Sequence, residues 1–460
     1  MTTNTIEGLR VYQWGFEGVK AVGTLTVDTQ PTIGDTFTIG GIVYTFVAVV
    51  DANAEGEVSI GANVAGAKLA IVAAINGTDG FNNPHPAVTA SAFSGDVATL
   101  TARIPGEAGD AIATTETFTA GTNIFNATTL GGTTAGVYAR GTSVAATSKM
   151  AIEKIEWGDD DENIYRPSFA NGLLMRNRGE ATAVQHGTRF SFSDQPVVWE
   201  QLMHWLALCV KGEPSVTYED GSPDVYRWTF TRTPTANPQP LAVTLERRFS
   251  NGSDFVDQEC SYAMLSMFGL SYAENEHLRM SGEGFARKFS TATITAALSA
   301  PTAELGVSAL STVYVDDTWG AAGGTLLAEQ VIGWDLEFGT GFAPLYTAEG
   351  RTNLDFTKAQ PNAREVMANL KLTILLDPTT YAAEQIAAAA GTRRAIQVKV
   401  AGSGSRLLKF NGLFQHTKPA LFKIGEQDGQ DIVEMELEEA TDETNFFSVI
   451  FEHPSVYSLA

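Results

Sequence analysis

The sequence predicts a mainly β, α+β chain with two tandem cores, each flanked by one helix, and a small α+β module inserted near the N-terminus. Three observations carry this expectation. A strand, a break and a helix occur twice. The first copy is Arg189-Phe-Ser-Phe-Ser-Asp194-Gln-Pro196 followed by Val197 to Gly212, and the second is Leu370-Lys-Leu-Thr-Ile-Leu-Leu-Asp377-Pro378 followed by Thr379 to Gly391. Elsewhere the strand-like segments are short, alternate in polarity and are broken by Gly, Asn, Asp and Pro. Finally, Gly23 to about Gly132 is rich in Ala, Gly and Thr and poor in Lys and Arg, a composition unlike its flanks.

In both copies Asp and Pro stand where a helix begins. The Asp side chain can accept from free N–H groups of the first turn, and Pro is pre-set for that turn. Gly212 and Gly391 are the expected stops, because glycine tolerates the left-handed conformation after a helix end. The order of long excursion, strand, helix and further strands repeats in both halves, which points to a duplicated domain. The expected organisation is an arm over 1–22, the inserted module over 23–134, a first core over 135–290, a linker over 291–330 and a second core over 331–460.

Leu9 to Ala21 reads as an extended arm. Within the module, Thr36 to Phe46 is a hairpin around Gly40-Gly41, which permits the positive φ of a tight turn. Val64 to Asn76 reads as a helix stopped by Gly77, and Val97 to Ala102 as a strand. The flanks Gly15 to Ala21 and Val137 to Ala146 both read as arm, so the module interrupts one arm, as insertion at a surface loop allows.

In the first core, strands are expected around Ile152 to Trp157, Gly187 to Ser193, Tyr226 to Arg232, Leu241 to Phe249, Ser261 to Leu270 and Leu278 to Phe285. In the second they are expected at Val331 to Phe338, Leu370 to Leu376, Ala395 to Val400, Arg406 to Phe410, Asp431 to Glu438 and Asn445 to Phe451. Asp159 to Glu180 and Gly339 to Ala363 are long excursions between strands. Ser290 to Gly324, rich in Ala, Thr and Gly, reads as the linker.

The formal charge is −23, from 30 basic and 53 acidic residues. Such a surface does not grip nucleic acid, since affinity for phosphate backbones rests on Lys and Arg. Cys209 and Cys260 have no metal-ligand spacing and no disulfide framework, and read as buried thiols. The first residues lack a basic region followed by an apolar stretch, so no signal peptide is expected, and no apolar run reaches the roughly 20 residues of a membrane helix. Synthesis in a reducing cytoplasm is the expectation.

No motif argues for an active site. Gly402-Ser-Gly404-Ser-Arg406 lacks the Gly-Lys-Ser/Thr ending of a phosphate loop. The six histidines are scattered. Asp159-Asp160-Asp161-Glu162 lacks the oxygen spacing of a calcium loop, and no nucleophile elbow occurs. No enzyme, cofactor or metal is therefore expected. One pattern is more telling: Glu434, Glu436 and Glu438 alternate with Val433, Met435 and Leu437, giving a strand with one acidic and one apolar face.

At this point the chain resembles the tail tube (major tail) proteins of long-tailed bacteriophages. The resemblance rests on Ala139-Arg-Gly-Thr-Ser-Val-Ala-Ala146 through Ile155, on Tyr262 to Arg287, and on Gly333 to Glu349 with Ala368 to Pro378. The segment Gly23 to Val27, with Phe37 to Phe46 and Gly106 to Ile112, is similar to a module of phage structural proteins. The resemblance implies β-sandwich or barrel cores with a flanking helix, assembled as stacked rings around a DNA channel. A chain with two cores implies a trimeric, pseudo-hexameric ring. It further implies a virion tail location and partners that include other copies of the chain, a tape measure protein, and tail terminator and tail tip proteins. DNA would pass through the lumen without specific binding, and no membrane insertion is implied. Glu434, Glu436 and Glu438 become lumen candidates. The excursions would contact the next ring, with Asp159, Asp160, Asp161, Tyr165, Phe342 and Tyr346 as candidates. The alternative expectation is a virion surface or adhesion-type protein whose inserted module binds carbohydrate.

Overall fold

The computed structural model describes residues 10–51, 55–119, 121–165, 181–210, 214–219, 225–231, 240–250, 254–272, 276–301, 304–306, 311–347, 354–361, 368–417, 423–427, 429–441, 444 and 446–457. The fold is mixed α+β and dominated by sheet. The chain divides into two compact units. Unit 1 comprises Met1–Gly15, Ser143–Ser215 and Trp228–Glu452, and unit 2 comprises Phe16–Thr142, Val216–Arg227 and His453–Ala460.

After β1 (Arg10–Phe16), the chain enters unit 2 with β2 (Val22–Thr26), β3 (Thr36–Ile39), β4 (Ile42–Val47), β5 (Glu57–Ser59), α1 (Val64–Asn76), β6 (Val88–Ala90), β7 (Val97–Ala102), β8 (Thr114–Glu116) and β9 (Ile124–Phe125). Two four-stranded sheets result, ordered β6-β7-β2-β9 and β5-β4-β3-β8. The expected hairpin forms: β3 and β4 pair antiparallel across Gly40 and Gly41, whose φ angles are +55° and +90°. α1 starts at Asn63, whose side chain accepts from Gly66 N, and ends at Gly77 in the left-handed conformation. Its Ile71 and Ile75 join Leu25, Phe37, Phe46 and Leu100 in a core of the unit's own. The flanks of the insertion also pair. Val19 and Val137 exchange main-chain hydrogen bonds of 2.8 and 3.0 Å.

Unit 1 continues with β10 (Ser148–Lys149), β11 (Glu156–Asp159), β12 (Glu162–Tyr165), β13 (Ala181–Gln185), β14 (Thr188–Pro196) and α2 (Trp199–Cys209). β15 (Ser215–Glu219) and the start of β16 (Val225–Thr231) belong to unit 2, and unit 1 resumes at Trp228 with β17 (Val243–Ser250), β18 (Phe255–Tyr272), β19 (Arg279–Ala286), β20 (Ser290–Thr291) and β21 (Ser311–Asp316). The second half follows as β22 (Val331–Gly339), β23 (Phe342–Leu345), β24 (Lys358–Pro361), β25 (Ala368–Leu375), α3 (Pro378–Ala390), β26 (Arg394–Ala401), β27 (Leu407–His416), β28 (Lys423–Gln427), β29 (Gln430–Glu439) and β30 (Ser448–His453).

The two halves of unit 1 share one wiring. In the first, β11 pairs with β14, β14 with β19 and β19 with the C-terminal part of β18. In the second, β22 pairs with β25, β25 with β29 and β29 with β28. The excursion in each half leaves and returns as a two-stranded ribbon, β12–β13 or β23–β24. A second ladder completes each half. β17 pairs with the N-terminal part of β18, which also takes β20. Likewise β26 pairs with β27, which also takes β30. β1 joins β17 as β21 joins β26. The stretch expected as a linker thus supplies β21, an integral strand of the second half.

β18 serves both ladders of the first half. The change of ladder falls at a bulge where Tyr262 has φ +57° and where the β17 register shifts between Val243 and Leu245. The left-handed conformation costs a non-glycine residue about 1–3 kcal/mol. Packing offsets it here: the Tyr262 ring lies 5.0 Å from that of Phe356, and its hydroxyl accepts from Ala359 N at 3.2 Å.

The two helices reach the same place by different physics. α3 is Ala-rich and exposed, and it relies on its ends: Asp377 accepts from Thr380 N at 2.8 Å, Pro378 is the first residue, and Gly391 closes the helix at φ +63°. Those expectations hold. For α2 they do not. Asp194 and Pro196 lie inside β14, Asp194 at φ +56° in a bulge, with its carboxylate 3.0 Å from Arg279. The N-cap is Val198, without a side-chain cap, and Trp199 N donates instead to Glu304 O at 3.0 Å. α2 is buried almost all round, Trp199, Leu202, Met203, Trp205 and Leu206 included. Each such side chain contributes about 1.5–3 kcal/mol, which outweighs a missing cap worth about 1 kcal/mol. Gly212, the expected stop, lies outside the described residues.

Two buried carboxylates fix the halves internally. Glu246, 2% exposed, accepts from Gln13 Nε2 at 2.6 Å, Thr295 N at 2.7 Å and Ala146 N at 3.2 Å, binding the N-terminal arm to β17. Glu384, 4% exposed, joins α3 to the sheet through Arg394 and through His416 Nε2 at 3.1 Å. Glu384→Ala leaves the buried His416 and the half-buried Arg394 without this carboxylate. It should cost about 3–5 kcal/mol of unfolding free energy, read as a lowered urea midpoint. A midpoint unchanged from wild type would show that this cluster holds nothing.

Candidate functional site

The duplicated wiring places one residue set in relief. β18 of the first half pairs antiparallel with β22 of the second, from Met267 opposite Gly339 to Tyr272 opposite Trp334. The two four-stranded ladders become one continuous sheet ordered β11–β14–β19–β18–β22–β25–β29–β28. Side chains alternate across it, and one face is apolar and buried from β14 to β29: Phe190 and Phe192, Phe268 and Leu270, Trp334 and Leu336, Leu370 and Leu372, Met435 and Leu437.

The other face is polar from β19 to β29. The registers define rows that cross the sheet. One runs Arg279, Ser271, Asp335, Lys371, Glu436, and the next runs Ser281, Gly269, Glu337, Asn369, Glu438. The first row alternates in sign, as stable cross-strand pairs do. The second carries Glu337 and Glu438 with a neutral Asn between them. Lys371 Nζ lies 3.3 Å from Glu434 Oε1. Partial burial holds the Asp335 carboxyl above the usual carboxylate range; Lys371 opposes this shift and Glu434 adds to it. The face is acidic on balance, and the sheet supports it rigidly from behind.

Glu434, Glu436 and Glu438 stand where the alternation expects them, with Val433, Met435 and Leu437 buried opposite. Asp335 and Glu337 share their face and escaped the sequence reading. The alternation Trp334-Asp-Leu-Glu-Phe338 carried the signal, but only the strand pairing brings it beside β29.

The excursion candidates separate. Asp159 ends β11, and Asp160 pairs with Arg189 Nε at 2.8 Å. Asp161 pairs with His186 Nδ1 at 2.9 Å and Lys288 Nζ at 2.5 Å, at the root of the first ribbon. These contacts set the Asp161 carboxyl below its usual range against the opposing effect of burial. Tyr165 ends β12, and its side chain lies outside the described residues. Phe342, expected to reach a neighbouring ring, is instead 2% exposed within its own chain. It is enclosed with Ala242, Tyr262, Met264, Phe285 and Phe356. Tyr346 donates to His186 O at 3.2 Å and packs edge-on against Phe356. The second ribbon is thus docked on the first half, because its aromatic residues complete that half's core.

A cleft of about 830 Å³ opens between this ribbon and the sheet, lined by Glu156, Arg189, Glu283, Phe342 and Pro344 among others. Among the described residues no group of His, Cys, Asp and Glu could hold a metal ion, and no helix is long and apolar enough to cross a membrane. No protein-family model matches the chain, and a search of curated proteins finds no relative.

The polar face should reject DNA because of its carboxylates. Converting Glu337 and Glu438, which flank the neutral Asn369, together to Lys should raise affinity for double-stranded DNA by roughly tenfold or more at low salt, falling steeply as salt is added, with circular dichroism verifying the fold. Fluorescence anisotropy of labelled duplex reads this directly. Equal binding by wild type and variant would remove the electrostatic argument.

Proposed function

We propose that this chain is a structural, non-catalytic subunit that closes into rings and stacks into a tube, the major tail tube protein of a long-tailed bacteriophage. The observation that carries the proposal is the β18–β22 junction. Within one chain, the first strand of one core adds to the outer strand of the core before it. β11 is the counterpart of β22, and β28 the counterpart of the C-terminal part of β18. The same join made between chains would link β28 of one copy to β11 of the next. Such a head-to-tail contact is heterologous, and rotation closes it into a ring.

In this reading each half is a tail-tube core of sandwich or barrel type, and three chains give a pseudo-hexameric ring. Exposed strand edges are liabilities in a monomer, and ring closure removes them. The acidic face lines the channel and repels phosphate, so that DNA slides rather than binds. Unit 2, with its own core and its own two sheets, would serve as a decoration module. Tape measure, terminator and tip proteins would be the remaining partners in the virion tail.

Native mass spectrometry and negative-stain imaging of the purified full chain test the reading. Rings of three chains and hollow stacked tubes are expected as concentration rises. A chain that remains monomeric at every concentration contradicts it.

A further inference from the structure

In a chain of net charge −23, one cleft of unit 1 is basic. It has a volume of about 460 Å³ and is lined by Arg10, Tyr12, Lys154, Trp157, Arg247 and Arg248, among others. The Arg247 guanidinium lies 4.4 Å from the Trp157 ring and 5.3 Å from that of Phe249, with Nε donating to Gln258 Oε1 at 2.8 Å. Arg248 is paired with Asp257 at 2.7 Å, and Lys154 with Glu156. Among the described residues, Arg10 and Arg247 make no ion pair. The cleft therefore presents cations whose charge its own walls only partly balance.

The opposite edge of the sheet carries the complement. β28 and β29 form an antiparallel hairpin that closes at Gln427 opposite Gln430, with Gly429 at φ +80°. Glu426 and Asp431 are exposed and stand directly opposite each other across this hairpin. Like charges in that position repel, so the tip is destabilised until a cation approaches.

The internal junction shows where this tip would fall on a neighbouring copy. In β18 the last residue, Tyr272, lies opposite Trp334. Trp334 stands eight residues before the ribbon strand β23, and Lys154 stands eight residues before its counterpart β12. Repeating the junction between chains brings the end of β28, and with it the acidic tip, to Lys154 and the mouth of the basic cleft.

We propose that the Glu426–Asp431 hairpin tip of one copy seats in the Arg10–Lys154–Arg247 cleft of the next and sets the register of ring closure. The inference rests on the ring reading and adds to it a charge lock with a defined pair of surfaces. Long-range attraction between the two would also speed encounter and disfavour the tip-to-tip and cleft-to-cleft arrangements.

Charge reversal in the full chain tests it. Glu426→Lys with Asp431→Lys, or Arg10→Glu with Lys154→Glu, should each raise the concentration for half-assembly by about tenfold or more. All four changes together should restore assembly towards the wild-type value, with circular dichroism melts verifying the fold of each variant. Wild-type assembly should also weaken as salt rises, a readout that needs no variant. Rings that form equally well with the reversed tip, or without salt dependence, overturn the lock and leave the ring reading standing. Wild-type chains that never associate overturn both.

Discussion

One main-chain ladder joins the two halves of the polar sheet, the antiparallel pairing of β18 with β22. Everything that makes the polar face continuous follows from it. Without that ladder there are two four-stranded sheets with unrelated surfaces. With it, the row from Arg279 to Glu436 runs unbroken through both halves. Main-chain pairing is indifferent to side chains, so it can be repeated between halves that share wiring but not sequence. Side chains then tune each copy of the join.

The halves have diverged in what stabilises them. The first buries a nearly all-apolar α2 and needs no side-chain cap; the second keeps an exposed, well-capped α3 and a buried Glu384–Arg394–His416 cluster. In the first half the chain between β1 and β11 contains most of unit 2, whereas β21 and β22 of the second are joined by residues 317–330, with one 3-10 turn. Insertion at that point leaves the ladders intact. The pairing of Val19 with Val137 holds the ends of the insertion together.

What the sequence made legible was local. The Gly40-Gly41 hairpin, α1 with Gly77, α3 with Asp377 and Gly391, and the two-faced β29 all declare themselves within a few residues, because turn chemistry, capping and alternation are short-range. Asp194 misled because its motif matched that of Asp377, while tertiary burial decided where α2 starts. β21 was hidden in Ala, Thr and Gly because its strand character comes from β26 beside it. Phe342 belonged to a core that only folding assembles, across residues from Ala242 to Ala359. The acidic face was half legible: the three glutamates of β29 were visible in the sequence, whereas their neighbours on β22 required the pairing.

Hydrogen exchange on the main-chain amides of β11 and β28, compared between dilute and assembled protein, tests the central claim most directly. Among the described residues each pairs register by register on one side, β11 with β14 and β28 with β29. Their outward amides should exchange quickly when dilute and become strongly protected on assembly, while β18 and β22 are protected in both states. Assembly that leaves Glu156–Asp159 and Lys423–Gln427 exchanging as fast as in the dilute protein would contradict the edge-to-edge join.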